Sequence, residues 1–277
     1  ITPSITQSIT PTPTPTPSNR PDGIKIQFTY GSSTNYTQHQ KDQFDLVAAR
    51  MKNVILDDWT LTINVGYTDK AGVLASAAPT GGWNDNDRAL PTSGLINFNP
   101  DHLNGNGNNL DGTILDGTHT AMFYIIIHEL GHVLGIGTFW NISWNDPVIQ
   151  ANRNVLYDGN TDILLPPNVQ DYTPHNPVYK GPKAVAAYNE AFGLNTDSIP
   201  IEDGAAPGSS GSHLEEGLNG FGDSVRVVDG FVHPALENEL MTPRFDNGVV
   251  NPMSKITLGM LEDLGWTVDY SQAQQFP

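Results

Sequence analysis

The chain contains no cysteine, which excludes a disulfide framework, a thiolate nucleophile and thiolate metal ligands, and leaves cysteine pairing silent about redox compartment. Basic residues are scarce: 13 Lys and Arg stand against 30 Asp and Glu, for a net charge of -17. That surplus argues against nucleic acid or an anionic membrane surface as partner, and it suits solubility and hard cations such as calcium. No apolar run approaches the roughly 18 residues that a membrane span needs. What remains is a chain of 277 residues with enough apolar side chains to bury a core without staples.

Residues 1–20, "ITPSITQSITPTPTPTPSNR", alternate Thr and Pro with almost nothing to bury, so they read as an extended, semi-rigid linker to further domains. No initiator Met and no signal-peptide pattern opens the chain. The expectation is a piece of a longer, secreted precursor, acting outside the cell.

Beyond the linker, "IKIQFTY" (Ile24–Tyr30) and "TLTINVGY" (Thr60–Tyr67) alternate as half-buried strands do. Between them Phe44, Val47, Ala48, Met51, Val54 and Ile55 recur at helical spacing, and Thr37 with Gln40 forms a capping box that opens a helix reaching Asp57. Further strands are expected at Leu74–Ala78, bounded by Pro79, and at Leu95–Phe98. From Thr120 to Leu134 the apolar residues Phe123, Ile126, Ile127, Leu130, Val133 and Leu134 mark a buried helix, although Ile125, Ile126 and Ile127 alone would favour a strand. Residues 138–212 read as irregular apart from a helical patch at Ala184–Phe192. A last helix opens at Ser254 as N-cap and closes at Gly265.

The buried helix carries "HELGHVLGIGTFW". His128 and His132, four residues apart, share one helix face and can offer two nitrogens to one cation, while Glu129 is turned by about 100° toward the cation's open side. A catalytic zinc takes three protein ligands and a water, whose pKa falls to about 7, and an adjacent carboxylate can take its proton. A structural zinc normally has four protein ligands. The third ligand is the open question. In the common long motif it follows six residues after the second histidine, where Thr138 stands. A glutamate in a pattern like N-E-x-x-x-D is superficially offered by Asn189 and Glu190, but Leu194 occupies the Asp position. The histidines farther along are His175, His213 and His233, whereas His39, His102 and His119 read, like His175, as surface loop residues.

Together with "GSHLEEG", "NELMTP" and "SKITLGMLEDLGW" downstream, the helix motif resembles the leishmanolysin-like family of zinc peptidases in the metzincin clan, over most of the chain from about residue 22. The resemblance implies an α+β, metzincin-like fold, with a twisted mixed sheet and the active-site helix in residues 21–137. Residues 138–277 would then form a mostly irregular second subdomain with an insertion and the terminal helix. It further implies His128, His132 and His213 as zinc ligands, Glu129 as the catalytic base and Met241 as the methionine of the turn beneath the metal. Leu214 departs from the family's tryptophan, and the long spacing to Met241 keeps His233 as a rival to His213. Met253 is a weaker alternative to Met241. The resemblance also implies an edge strand that receives substrate as an added strand, for which Leu95–Phe98 is the candidate.

Trp140 and Trp144 are candidates to wall the pocket, with ordinary packing as the competing role. "DGNTD" (Asp158–Asp162), "WNDND" and "NGNGNNLDG" are oxygen-rich enough to leave room for a structural calcium, though Ile163 and Val169 rule out an EF-hand, and solvated turns explain all three as well. The expectation is therefore a secreted zinc endopeptidase acting on protein or peptide substrate. The alternative is a catalytically weak, metal-containing adhesion or glycoprotein-binding module of the same fold.

Overall fold

The computed structural model describes residues 21–276 apart from 83–87, 104–108, 142–150, 152, 167–174, 205–207, 218–224, 229–230, 235 and 247. The Thr/Pro segment, Trp144, "WNDND" and most of "NGNGNNLDG" lie outside the described residues.

β1 (Lys25–Tyr30) leads into helix α1 (Gln38–Val54), and β2 (Thr60–Tyr67) returns parallel to β1. The capping box closes as its residues require. Thr37 Oγ1 accepts from Gln40 N–H at 3.2 Å, and the Gln40 side chain accepts from Thr37 N–H at 3.0 Å. The helix stops at Val54, short of Asp57, because Ile55 turns extended and bridges Val268 while Leu56 N–H donates to Thr267 C=O at 2.8 Å. β3 (Ala75–Gly81) and β4 (Ser93–Phe98) complete a mixed four-stranded sheet in the order β1-β2-β4-β3. β4 runs parallel to β2 and β3 antiparallel to β4.

That order corrects the sequence reading of the edge. Leu95–Phe98 lies in β4, whose backbone is paired on both sides, so it is not an edge strand; the edges are β1 and β3. Pro79 falls inside β3 rather than ending it, at a bulge between Pro79 and Gly81, since an edge strand can spare the ladder hydrogen bond that proline cannot donate.

Helix α2 (Ala121–Val133) lies against this sheet with every residue but His128 buried. It approaches closely: a Cβ on Gly94 of β4 would meet a Val133 methyl at 2.3 Å. Burial on all sides overrides the strand preference of the three isoleucines. Phe44 of α1 packs between Phe28 and Phe98 at ring distances of 4.9 and 6.0 Å, which fills the space between α1 and the sheet.

Residues 138–212 are less irregular than the sequence suggests. Four short strands, β5 (Leu156–Asp158), β6 (Ile163–Leu164), β7 (Pro177–Tyr179) and β8 (Ile199–Pro200), form an antiparallel sheet in the order β6-β5-β7-β8. Strands of two or three residues carry no periodicity to read. Helix α3 (Pro182–Phe192) ends at Gly193 in the left-handed conformation, φ 65°. Beyond it, β9 (Val225–Val228) and β10 (Phe231–Pro234) pair antiparallel, and α4 (Lys255–Asp263) closes the chain with Ser254 as its N-cap. Among the described residues no helix is long and apolar enough to cross a membrane.

Candidate metal centre

α2 begins at Thr120, whose Oγ1 caps Phe123 N–H at 3.2 Å and donates to Gln43 of α1 at 2.8 Å. Its end is built for a sharp departure. Gly135 has φ 119° and Gly137 φ 72°, values open to glycine and costly for other residues. Gly137 has a second reason to lack a side chain, because a Cβ there would meet Ser212 C=O at 2.2 Å. The backbone leaving α2 therefore touches the backbone that carries His213.

His213 is held from several sides. Leu214 bridges Ile201, Glu202 N–H donates to His213 C=O at 3.0 Å, and Leu214 N–H donates to Met241 C=O at 2.9 Å. The three histidines predicted from sequence converge: His128 and His132 Nε2 are 3.1 Å apart, His132 and His213 Nε2 3.0 Å, and His213 and His128 Nε2 3.2 Å. Each Nδ1 lies on a main-chain carbonyl, that of Leu240 for His128 (2.7 Å), Ile136 for His132 (2.9 Å) and Ser209 for His213 (2.9 Å). An Nδ1 that faces a carbonyl must carry the proton, so all three Nε2 atoms present lone pairs to one another.

Three lone pairs at such distances repel unless a cation lies among them. A tetrahedral ion 2.0–2.1 Å from each nitrogen would space them by roughly 3.3 Å, close to what is found. The ring carbonyl partners are the outer contacts that orient ligating histidines in metal sites. Burial holds the His128 pKa down, to about 3, with His132 adding to the effect. Burial likewise lowers that of His132 and, with its two neighbours, His213. The rings are thus neutral, as metal ligation requires. These residues fit a zinc ion.

Glu129 is 6 % exposed and lines the same cleft, and burial pushes its pKa up to about 8. A bound dication would pull it back down. Met241 is fully buried against α2, where a Cβ on Gly131 would meet its Sδ at 2.8 Å. The glycine in "HELGH" thereby admits the methionine. Sequence reasoning missed the group that shapes this turn. Fully buried Glu239 accepts from Met241 N–H at 2.7 Å, Ser254 N–H at 3.2 Å, Ser254 Oγ at 2.6 Å and Thr257 Oγ1 at 2.6 Å. Burial raises its pKa against the pull of these donors. One carboxylate so joins the turn at Met241 to the start of α4; its only signal in sequence is its place in "NELM".

The other candidates lie elsewhere. His233 is buried on β10 with its ring parallel to Tyr188 of α3, 6.2 Å away. Glu190 pairs with Lys255 at 2.6 Å, and Asn189 holds Thr196. His175 faces Asp158 at 3.3 Å, and His119 pairs with Asp116 and stacks on Phe123. His39 is not in a loop but in the first turn of α1, its ring on Asp111 C=O. His102 is in a 3-10 turn. Met253 is buried near the N-cap of α4 and hydrogen-bonds through its backbone to Gln274. In the oxygen-rich turn Asp158 accepts from Asn160 N–H at 2.8 Å and Asp162 pairs with Lys180 at 2.7 Å. Those carboxylates serve the turn itself.

The cleft over the histidines has a volume of about 1430 Å³ and runs between Leu74 with the start of β3, through Ala75, Ser76 and Ala77, and the segment from Leu240 to Asp246. Trp140 lines it while packing on Tyr179 at 5.1 Å, so the wall and packing roles coincide. Among family models, that for leishmanolysin matches residues 58–277. No curated protein matches the chain.

Proposed function

Because the chain belongs to the leishmanolysin family of metallopeptidases, we propose that it is a secreted zinc endopeptidase in which His128, His132 and His213 hold the metal and Glu129 is the general base. The observation that carries this reading is the convergence of three Nε2 atoms at 3.0–3.2 Å, each with its Nδ1 proton committed to a carbonyl. The metal, when held there, supplies a Lewis acid for the scissile carbonyl and acidifies the attacking water.

The chain's own residues do the rest. β3, the edge strand lining the cleft, offers main-chain groups to which an extended peptide adds as a further strand, laying its scissile bond across the histidines. Glu129 takes a proton from the attacking water and hands it to the leaving amine. Met241 and Glu239 fix the floor on which His128 rests through Leu240. In this reading residues 21–137 form the wall with the active-site helix, 138–277 form the opposite wall, and residues 1–20 tether the enzyme to further domains.

Casein cleavage by the purified protein tests the proposal. Activity should vanish with a chelator, return with zinc, and fall by at least about 10³-fold in Glu129→Ala. Cleavage that survives either treatment would refute it.

A further inference from the structure

The proposed function leaves one group in the cleft unexplained. Asn251 is 3 % exposed and lines the cleft, yet neither its Oδ1 nor its Nδ2 has a hydrogen-bond partner among the described residues. Buried polar groups are nearly always paired, and leaving one unpaired costs stability. The backbone around it is, by contrast, firmly held. Pro252 C=O accepts from Leu240 N–H at 3.1 Å, Met253 exchanges hydrogen bonds with Gln274, and Ser254 is tied to Glu239. Leu240 in turn supplies the carbonyl that orients His128. An unsatisfied amide thus sits on a rigid segment, one residue from the support of a proposed metal ligand. A second orphan lines the same cleft: the indole N–H of Trp140, 5 % exposed, likewise without a partner among the described residues.

We propose that Asn251 is a substrate-binding residue whose carboxamide takes the main-chain amide of a bound peptide, with Trp140 Nε1–H donating to a second carbonyl. A carboxamide presents a donor and an acceptor side by side, which complements the N–H and C=O that every peptide carries regardless of sequence. Substrate contact on this wall completes what β3 begins on the other. The cost of the unpaired amide in the absence of substrate is the trade of stability for function expected at a binding site. This inference rests on the peptidase reading.

The test uses the zinc-loaded full chain and a fluorescent peptide free of Asn and Gln. Affinity is read by anisotropy in a Glu129→Ala background, and KM and kcat are read with Glu129 intact. Asn251→Leu should weaken peptide binding about tenfold through KM, with kcat and zinc content little changed. Its melting temperature should stay level or rise, because an apolar group of similar shape replaces an orphan. Asn251→Ser, which should show the same weakening, serves if the leucine variant does not fold. Unchanged affinity overturns the assignment, as does weakening accompanied by lost zinc or a lowered melting temperature. If the parent binds and cleaves while Asn251→Leu does so equally, only the role of Asn251 falls. If the parent neither binds nor cleaves, the peptidase reading falls with it.

Discussion

At the residue scale, Gly137 decides whether the third histidine can arrive. Its φ of 72° would cost an alanine about 1–2 kcal/mol, and a Cβ would stand 2.2 Å from Ser212 C=O. Gly137→Ala should therefore weaken zinc binding more than its loss of thermal stability alone explains, measured by competition with a chelator. The two rival histidines separate in the same assay. His213→Ala should lose zinc by more than the roughly 10–100-fold that removing an outer partner costs, whereas His233→Ala, next to Tyr188, should retain the parent's stoichiometry by atomic emission. The spacing of His128, Glu129 and His132 is legible in sequence because one helix turn sets it. Gly137 is legible only as the end of a helix: its contact with Ser212 joins residues 75 positions apart, and no local pattern encodes it.

At the scale of elements, the entry to α2 is clamped by Asp116. Burial works against its charged form, but bonds from His119 N–H and ring, Tyr124 OH and Thr118 N–H outweigh it and hold its pKa well below the ordinary carboxylate value. The folded protein then binds this proton more weakly than the unfolded chain does. The resulting stabilisation is complete above the unfolded pKa of about 3.9 and is lost as pH falls through and below it. Asp116→Asn should cost about 1–2 kcal/mol at pH 7, with the gap to the parent narrowing below pH about 4 in denaturant titrations. Helices here were readable to within a few residues because caps and periodicity are local, as at Thr37, Thr120 and Ser254. Strand order was not. Pro79 inside β3 is the one local hint that this strand lies at an edge, but which strand pairs with β2 is a choice made by the whole sheet.

At the scale of the whole molecule, His128 and His213 are 85 positions apart, so a metal held between them cross-links two distant stretches of chain. An ion that binds only the folded state stabilises it by about 4 kcal/mol at a thousandfold excess over Kd. Chelation should accordingly lower the melting temperature by several degrees and speed proteolytic nicking in residues 208–212, where Ser209 holds His213, and zinc should reverse both changes. The acidic balance of the chain was plain from composition. The arrangement of Glu239 and Asn251 was not, because what matters about each is which partners it has or lacks, and that exists only after packing. The contact between Gly137 and Ser212 has a wider consequence. The chain leaves α2 and returns to the third histidine at one seam, and residues just before that return hold the histidine as well, through Ser209 C=O on its Nδ1 and Glu202 N–H on its carbonyl. A residue or two inserted in the turn between β5 and β6, away from those contacts, should therefore leave zinc binding intact, whereas the same insertion beside Gly137 or Ser212 should not.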